Sequence, residues 1–260
     1  MSRVSVEYKD HIAHVTLTRG EKMNALDDAM FNAILSAGQE VAASDARAVV
    51  LSGQGGNFCA GLDMASLAKY ANNNPSEWLM TRSHGDANDL QELALTWRRV
   101  PVPVICAIEG VAYGGGLQIA LGADIRIAHP DSKLAVLEMK WGIIPDMGAM
   151  YMLPHLVGSD VIRLLTYTAR PVGAQQAADW GLVTKLSDDP LTEATAIAED
   201  IASKSPSGIR AAKRVIDFAE SHSRAETLME ESVEQVELIG KPDQMEVIAA
   251  QMQGRKPVFK

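Results

Sequence analysis

Short apolar segments alternate with segments of helical periodicity along this chain, and that alternation restricts the fold more than any other feature. Two runs of alternating apolar residues, ending at Tyr8 and Leu17, predict two strands joined by a turn at Asp10 and His11. A helical pattern begins at Asp27, and an apolar strand buried on both faces follows over residues 48–51. Repetition of such strand and helix segments is typical of stacked ββα units, so the predicted fold class is α/β.

The pattern repeats in the middle of the chain and then changes. A helix is predicted over residues 88–99, a strand over 104–108, and a second helix that opens at the glycines of residues 114–116. Beyond about residue 190, Ala, Glu, Lys, Arg and Met at helical spacing predict a helical tail, with a helix start at Ser205. Its apolar stripes must pack either within a domain of their own or against other subunits.

Charge and composition exclude several functional classes. The formal net charge of −9 disfavours nucleic acid as a partner, because Lys and Arg supply most of the affinity for phosphate backbones. Two cysteines, Cys59 and Cys106, argue against a disulfide framework or a zinc site, and Cys59 is interpreted as a packing residue. No apolar stretch approaches the roughly 20 residues of a membrane helix. We therefore expect a cytoplasmic protein with no membrane partner.

Two glycine-rich segments, FCAGLD at residues 58–63 and GVAYGGGLQ at residues 110–118, remain as candidates for chemistry. Glycine permits positive φ angles and close approach, so backbone N–H groups can point into a cleft. The second segment opens a helix, whose N-terminus favours a negatively charged oxygen. The two segments are either tight turns between strand and helix or the two halves of an oxyanion hole.

These segments, with EKMNAL at residues 21–26 and LEMKWGIIPDMG at residues 137–148, resemble the crotonase superfamily of enoyl-CoA hydratases and isomerases over essentially the whole chain. The resemblance implies a crotonase-type spiral of ββα units over residues 1–190. It implies a C-terminal helical region over residues 191–260 that covers the active site and forms a homotrimer or a dimer of trimers. It also implies an acyl-CoA substrate from fatty-acid or related metabolism, with no metal and no redox cofactor.

The resemblance assigns candidate binding residues as well. The thioester oxygen would accept hydrogen bonds from the backbone N–H groups of Leu62 and Gly115, which form the oxyanion hole. Lys22 is either a contact for a coenzyme A phosphate or a solvated lysine. The residues expected beside the coenzyme A moiety are Ala60, Asp63, Met64 and Ala65.

The catalytic assignment depends on three side chains. Hydratases of this family use two carboxylates; Glu138 matches one, whereas Gln118 occupies the position of the other. An amide can orient water but cannot take its proton, which favours isomerisation by Glu138 over hydration. Asp146 is either a second proton carrier, as in the dienoyl-CoA isomerases that this spacing resembles, or the N-cap of a helix beginning near Met147.

Two other functions stay open at this point. One is a 2-enoyl-CoA hydratase in which Gln118 and Glu138 position the water. The other belongs to a different class, a non-catalytic protein of the same fold that binds acyl-CoA or RNA.

Overall fold

Two sheets form the centre of the protein, whose computed structural model describes residues 2–66 and 74–259. In the larger sheet, β1 and β2 are antiparallel and each later neighbour is parallel, in the order β1-β2-β3-β4-β6-β9. The smaller sheet has the order β5-β7-β8. The strands are β1 Val4–Lys9, β2 Ile12–Leu17, β3 Ala48–Gly53, β4 Val104–Ile108, β5 Val111–Tyr113, β6 Ile125–Ala128, β7 Lys133–Ala135, β8 Val172–Gly173 and β9 Lys185–Leu186.

Helices cover the sheets and form the C-terminal part of the chain. The helices are α1 Asp28–Ala42, α2 Pro75–Leu79, α3 Asp89–Arg99, α4 Gly115–Leu121, α5 Ala149–Met152, α6 Ser159–Thr168, α7 Ala174–Trp180, α8 Pro190–Ala202, α9 Pro206–Ala219, α10 Arg224–Leu238 and α11 Pro242–Met252. No helix within the described ranges is long and apolar enough to cross a membrane.

Local capping chemistry explains two of the predicted helix starts. The side chain of Asp27 accepts a hydrogen bond from the Met30 N–H at 2.8 Å, and that of Ser205 accepts one from the Gly208 N–H at 3.1 Å. Both starts are therefore confirmed. The helix predicted to begin near Met147 instead begins two residues later, as α5, and its N-cap position is occupied by Gly148.

From β4 to β7, successive strands alternate between the two sheets. The chain passes from β4 in the larger sheet to β5 in the smaller one, and it takes the same step from β6 to β7. Sequence analysis predicted no strand over residues 111–113, because β5 is short and its pairing with β7 is non-local. The α/β class is confirmed.

Strand β3 shows how the core is divided. Val49 and Leu51 join a cluster on one face with residues of α1 and α3, whereas Ala48 and Val50 join a cluster on the other face. This is the period of two expected for a strand, and it confirms the predicted burial on both faces. The second cluster includes Ala194 of α8, so this helix, inside the predicted C-terminal region, packs on the sheet.

A buried lysine fastens α9 to the body of the protein. Lys213 Nζ donates hydrogen bonds to Asp124 Oδ2 at 2.9 Å and to the Val102 carbonyl at 3.0 Å. The same carboxylate oxygen accepts from the Val104 N–H at 2.7 Å. In contrast, α10 buries no residue among those that the structure describes. The oligomer expected from this region stays a prediction.

Replacing Lys213 by Met should lower the free energy of unfolding by about 2–4 kcal/mol, because it leaves Asp124 without its buried cation. Lys204→Met is the matched control, since Lys204 pairs with Asp200 on an exposed helix surface and should cost no more than about 0.5 kcal/mol. Urea unfolding monitored by circular dichroism measures both variants. Equal losses in the two would contradict the anchoring role of Lys213.

Candidate active site

A cleft of about 400 Å³ opens where the FCAGLD segment meets the N-terminus of α4. The lining residues come from the loop after β2, from these two segments and from the short 3₁₀ turn Glu138–Trp141. They are Lys22, Met23, Ala25, Ala60, Gly61, Leu62, Asp63, Met64, Gly114, Gly115, Leu137, Glu138, Trp141 and Ile143. The structure thus brings seven predicted site residues together: Lys22, Ala60, Leu62, Asp63, Met64, Gly115 and Glu138.

The Leu62 amide is directed by a β-bridge to Leu26. The Leu26 N–H donates to the Gly61 carbonyl at 2.8 Å, and the Asp63 N–H donates to the Leu26 carbonyl at 2.9 Å. In this parallel pattern the N–H of the intervening residue points away from the partner segment. Within the described part of the chain no acceptor takes up the Leu62 N–H.

Gly115 supplies the second amide. It is the first residue of α4, so its N–H has no acceptor within the helix. The two segments approach so closely that a Cβ added to Gly61 would lie 2.6 Å from the Tyr113 carbonyl oxygen and 3.4 Å from the Gly115 nitrogen. The N–H groups of Leu62 and Gly115 therefore occupy neighbouring positions at the helix N-terminus, as an oxyanion hole requires.

Gly114 and Gly116, on either side of Gly115, are required for different structural reasons. Gly114 has φ 51° and ψ −122°, a conformation that residues with a Cβ rarely adopt. A Cβ at Gly116 would lie only 2.3 Å from the carbonyl oxygen of Cys59. The triplet therefore combines a special turn with close packing of α4 against the FCAGLD segment.

Glu138 places a carboxyl group beside these amides. The residue is 7% exposed, and its Oε1 accepts a hydrogen bond from Gln118 Nε2 at 2.7 Å. Its Oε2 is buried and has no hydrogen-bond partner among the described residues. Burial raises the pKa of Glu138, and the charge of Asp146 acts in the same direction. Hydrogen bonding by the backbone of Glu138 itself and by Gln118 opposes both.

Gln118 does not line the cleft. It lies on α4, is 1% exposed, and its Oε1 accepts hydrogen bonds from the backbone N–H groups of Met147 at 2.8 Å and Ala149 at 3.2 Å. Gln118 thus connects the carboxyl group of Glu138 to the segment that precedes α5. It was predicted as a possible holder of water, and its oxygen already accepts two hydrogen bonds.

Asp146 is partly buried in that segment, and burial raises its pKa. The alternative that it caps a helix is wrong, because α5 begins after Gly148 and has no side-chain cap. Asp146 is absent from the cleft lining, although its charge acts on Glu138. Its predicted role in proton transfer stays a prediction.

Asp63 holds the loop that carries the EKMNAL motif. Its Oδ2 accepts a hydrogen bond from Arg19 Nη1 at 2.7 Å, and its Oδ1 accepts one from the Ala65 N–H at 3.0 Å. Arg19 Nη1 also donates to the Ala25 carbonyl at 2.9 Å. Hydrogen bonds from Ala65 and Arg19 lower the pKa of Asp63. The carboxylate is therefore engaged within the protein, while Lys22 is exposed at the mouth of the cleft.

Sequence reasoning missed two residues that support this arrangement, Arg19 and Asn24. Asn24 is fully buried, and its Nδ2 donates to the carbonyls of Gln54 at 3.0 Å and Asn57 at 2.8 Å. Only its place inside EKMNAL could have indicated this role from the sequence, since its hydrogen-bond acceptors lie about thirty residues away. Arg19 lies two positions before that motif, and no sequence pattern marked it as a residue that supports the site.

Cys59 is confirmed as a packing residue. It is fully buried, and its thiol donates to the Asn24 carbonyl at 3.1 Å. Burial raises its pKa to about 12, which keeps the thiol neutral. Among the residues that the structure describes, no group of three or more His, Cys, Asp or Glu side chains is arranged to hold a metal ion.

Replacing Asp63 by Asn should lower the free energy of unfolding by about 1–3 kcal/mol at pH 7, because the charged hydrogen bond to Arg19 is lost. The folded-state pKa of Asp63 lies below the value of about 3.9 of an unfolded chain. Its stabilising effect is therefore complete above about pH 4 and is lost as the pH falls through the folded-state pKa. Denaturation at several pH values measures the difference.

The matched control for this prediction is Asp131→Asn, at a carboxyl group that is 94% exposed. We expect this variant to unfold like the wild type at every pH. A difference between Asp63→Asn and the wild type that stayed constant down to pH 2 would contradict the ion-pair account.

Known proteins match this chain over nearly its whole length. A family model described as enoyl-CoA hydratase/isomerase matches residues 7–260. The mitochondrial Delta(3,5)-Delta(2,4)-dienoyl-CoA isomerase of Mus musculus is 33% identical over 261 residues, covering 94% of this chain and 77% of that protein. The 1,2-epoxyphenylacetyl-CoA isomerase of Escherichia coli K12 is 31% identical, covering 94% and 93%. The crystal structure of an enoyl-CoA hydratase from Bacillus anthracis has a TM-score of 0.90 at 30% identity, covering 99% of both chains.

Proposed function

The chain belongs to the enoyl-CoA hydratase/isomerase family and is an enzyme of that class, and within the class we propose that it moves a double bond in an unsaturated acyl-CoA thioester. The supporting observation is the state of the carboxyl groups on the cleft lining. Glu138 presents an unpartnered oxygen there, whereas Asp63 is engaged by Arg19 and Ala65. Among the described lining residues, only one carboxyl group is therefore available for proton transfer.

The oxyanion hole makes the substrate acidic. In the proposed complex the thioester oxygen accepts hydrogen bonds from the N–H groups of Leu62 and Gly115. Loss of a proton from carbon moves negative charge onto that oxygen, where two fixed donors and a helix N-terminus stabilise it. One such donor is typically worth about 3 kcal/mol in the transition state. This proposed route uses no metal and no redox cofactor, as the sequence resemblance led us to expect.

Glu138 carries the proton between two carbons. As a carboxylate it removes a proton from one carbon of the bound acyl group, which leaves a dienolate. As a carboxylic acid it returns the proton to another carbon, and the double bond shifts. A raised pKa suits the first step, because it makes the carboxylate a stronger base. Asp146 is proposed as the second proton carrier for substrates in which the proton must travel further.

The name of the mouse relative describes an isomerase of dienoyl thioesters. Together with the partly buried Asp146, it makes 3,5-dienoyl-CoA the first substrate class to test. The cytoplasmic location, the trimer or dimer of trimers and the absence of a nucleic-acid partner stay predictions.

The direct test supplies purified enzyme with 2-enoyl-CoA, 3-enoyl-CoA and 3,5-dienoyl-CoA and follows the absorbance of the conjugated thioester. The proposal expects turnover of the 3-enoyl or 3,5-dienoyl substrate. Faster conversion of 2-enoyl-CoA to hydroxyacyl-CoA would establish the hydratase instead. Acyl-CoA binding by calorimetry without turnover of any substrate would establish the non-catalytic protein.

Glu138→Gln should lower kcat by about 10²- to 10⁴-fold, because the proton carrier is removed while the shape of the cleft is kept. The KM for the thioester should change little. Glu199→Gln, on the exposed face of α8, is the matched control and should keep wild-type activity. Steady-state kinetics on the best substrate decides, and an unchanged kcat in Glu138→Gln would remove Glu138 from the mechanism.

Lys22→Gln should raise the KM for the acyl-CoA about fivefold and leave kcat unchanged, because an exposed charge contact to a phosphate contributes about 1 kcal/mol. The effect should fade as salt is added. Lys9→Gln, on the exposed edge strand β1, serves as the control. Identical KM values for the two variants across all salt concentrations would show that Lys22 is a solvated lysine with no contact to the acyl-CoA.

A further inference from the structure

The side-chain amide of Gln118 donates one hydrogen bond to Glu138 and accepts two from the backbone N–H groups of Met147 and Ala149. We propose that Gln118 is a positioning residue, which reserves Oε2 of Glu138 for proton transfer and holds the segment carrying Asp146 in a fixed relation to it. The inference deepens the proposed function and rests on it for its chemical consequence. Its geometric part concerns only the chain itself.

The orientation of the Gln118 amide is determined by the backbone. Two N–H groups, those of Met147 and Ala149, point at the same side-chain atom from 2.8 and 3.2 Å. Only the amide oxygen can accept from them, since the NH₂ group has no acceptor capacity. The NH₂ group must therefore face the opposite way, where Glu138 lies.

That orientation gives the two oxygens of Glu138 different environments. Oε1 receives a hydrogen bond from Gln118 at 2.7 Å, and a Cβ added to Gly114 would lie 3.4 Å from it. Oε2 is buried and unpartnered among the described residues, in a side chain that lines the cleft. A donor on Oε1 disfavours protonation of that oxygen, so a proton arriving from the substrate belongs on Oε2.

The same side chain fixes the segment before α5. Met147 and Ala149 lie on either side of Gly148, whose φ of +93° makes a sharp bend, and Asp146 is the next residue upstream. Every residue of α4 is buried, so the base of Gln118 is rigid. Gly115 lies on the same helix. The amide of the oxyanion hole, the oxygen of Glu138 and the segment of Asp146 are therefore all held by α4.

An amide also differs from a carboxylate in what it cannot do. It takes no proton and carries no charge at any pH that the protein survives. Gln118 therefore cannot withdraw a proton from Glu138. A carboxyl group at position 118 would share that proton, because two carboxylates in contact cannot both ionise freely.

Two variants separate these two contacts. Gln118→Glu keeps an oxygen that can accept from Met147 and Ala149 but removes the donor to Glu138 and adds a second acid. Gln118→Met keeps the length of the side chain and removes both contacts. Gln251→Glu, on the exposed surface of α11, is the matched control for the first substitution.

The first readout needs no substrate. Infrared difference titration, with Glu138→Gln spectra to identify the band, reports the pH at which the Glu138 carboxyl group loses its proton. In Gln118→Glu we expect the protonated band to persist to a pH about one unit or more above that of the wild type. In Gln118→Met we expect a smaller upward shift. Gln251→Glu should titrate like the wild type.

The second readout uses the best substrate in D₂O. Gln118→Met should lose at least about tenfold in kcat with KM within about twofold, and it should change the ratio of deuterium found at the two exchanging carbons. Gln118→Glu should keep that ratio closer to the wild type, since the segment of Asp146 stays anchored. A residue that only supports folding would lower the melting temperature and leave this ratio alone.

The outcomes distinguish the two proposals. A shifted infrared titration without turnover of any thioester would retain the positioning role and overturn the proposed function. Turnover by the wild type, with the infrared titration unshifted in Gln118→Glu, would retain the function and overturn the positioning role. Gln118→Met leaves two buried N–H groups unpaired, and if it fails to fold, the infrared titration of Gln118→Glu is sufficient to decide.

Discussion

The cleft is built on the close backbone contact between the FCAGLD segment and the N-terminus of α4. Leu62 lies after β3 of the larger sheet and Gly115 after β5 of the smaller sheet, and their segments touch backbone to backbone. Gly61 and Gly116 permit that contact, since a Cβ at either would collide with a carbonyl oxygen of the other segment. A parallel bridge between Cys59 and Ala112 pairs the two segments. The site is therefore a property of the fold.

The carboxyl group of Glu138 is held by the same helix, α4. Glu138 enters the cleft from a 3₁₀ turn, and Gln118 on α4 holds one of its oxygens while the other is buried and unpartnered among the described residues. Burial disfavours the charged carboxylate, whereas hydrogen bonding by the backbone of Glu138 and by Gln118 favours it, and the balance is a raised pKa. The net charge of −9 does not prevent an anionic ligand from approaching, because the cleft presents free amides and Lys22 at its mouth.

Sequence alone predicted the features that depend on residues close together in the chain. Helix caps such as Asp27 and Ser205, the two-sided strand β3 and the glycines of the oxyanion segments all follow from neighbouring residues. The resemblance pointed to Glu138, whose side chain lines the cleft. Strand β5 and the links made by Arg19, Asn24 and Gln118 depend on partners about 20 to 45 residues away, which no local pattern reveals. The start of α5 was placed too early because Asp146 looked like a cap, although Gly148 makes the bend.

Isotope incorporation distinguishes proton transfer by Glu138, between carbons of an enolised thioester, from the addition of water. The enzyme is incubated with an unsaturated acyl-CoA in D₂O enriched in heavy oxygen, and the thioester is analysed by mass spectrometry. If Glu138 moves the proton, deuterium appears on carbon at the rate of double-bond migration, its incorporation is abolished in Glu138→Gln, and no heavy oxygen enters the acyl chain. Heavy oxygen that enters as fast as deuterium would contradict proton transfer by Glu138.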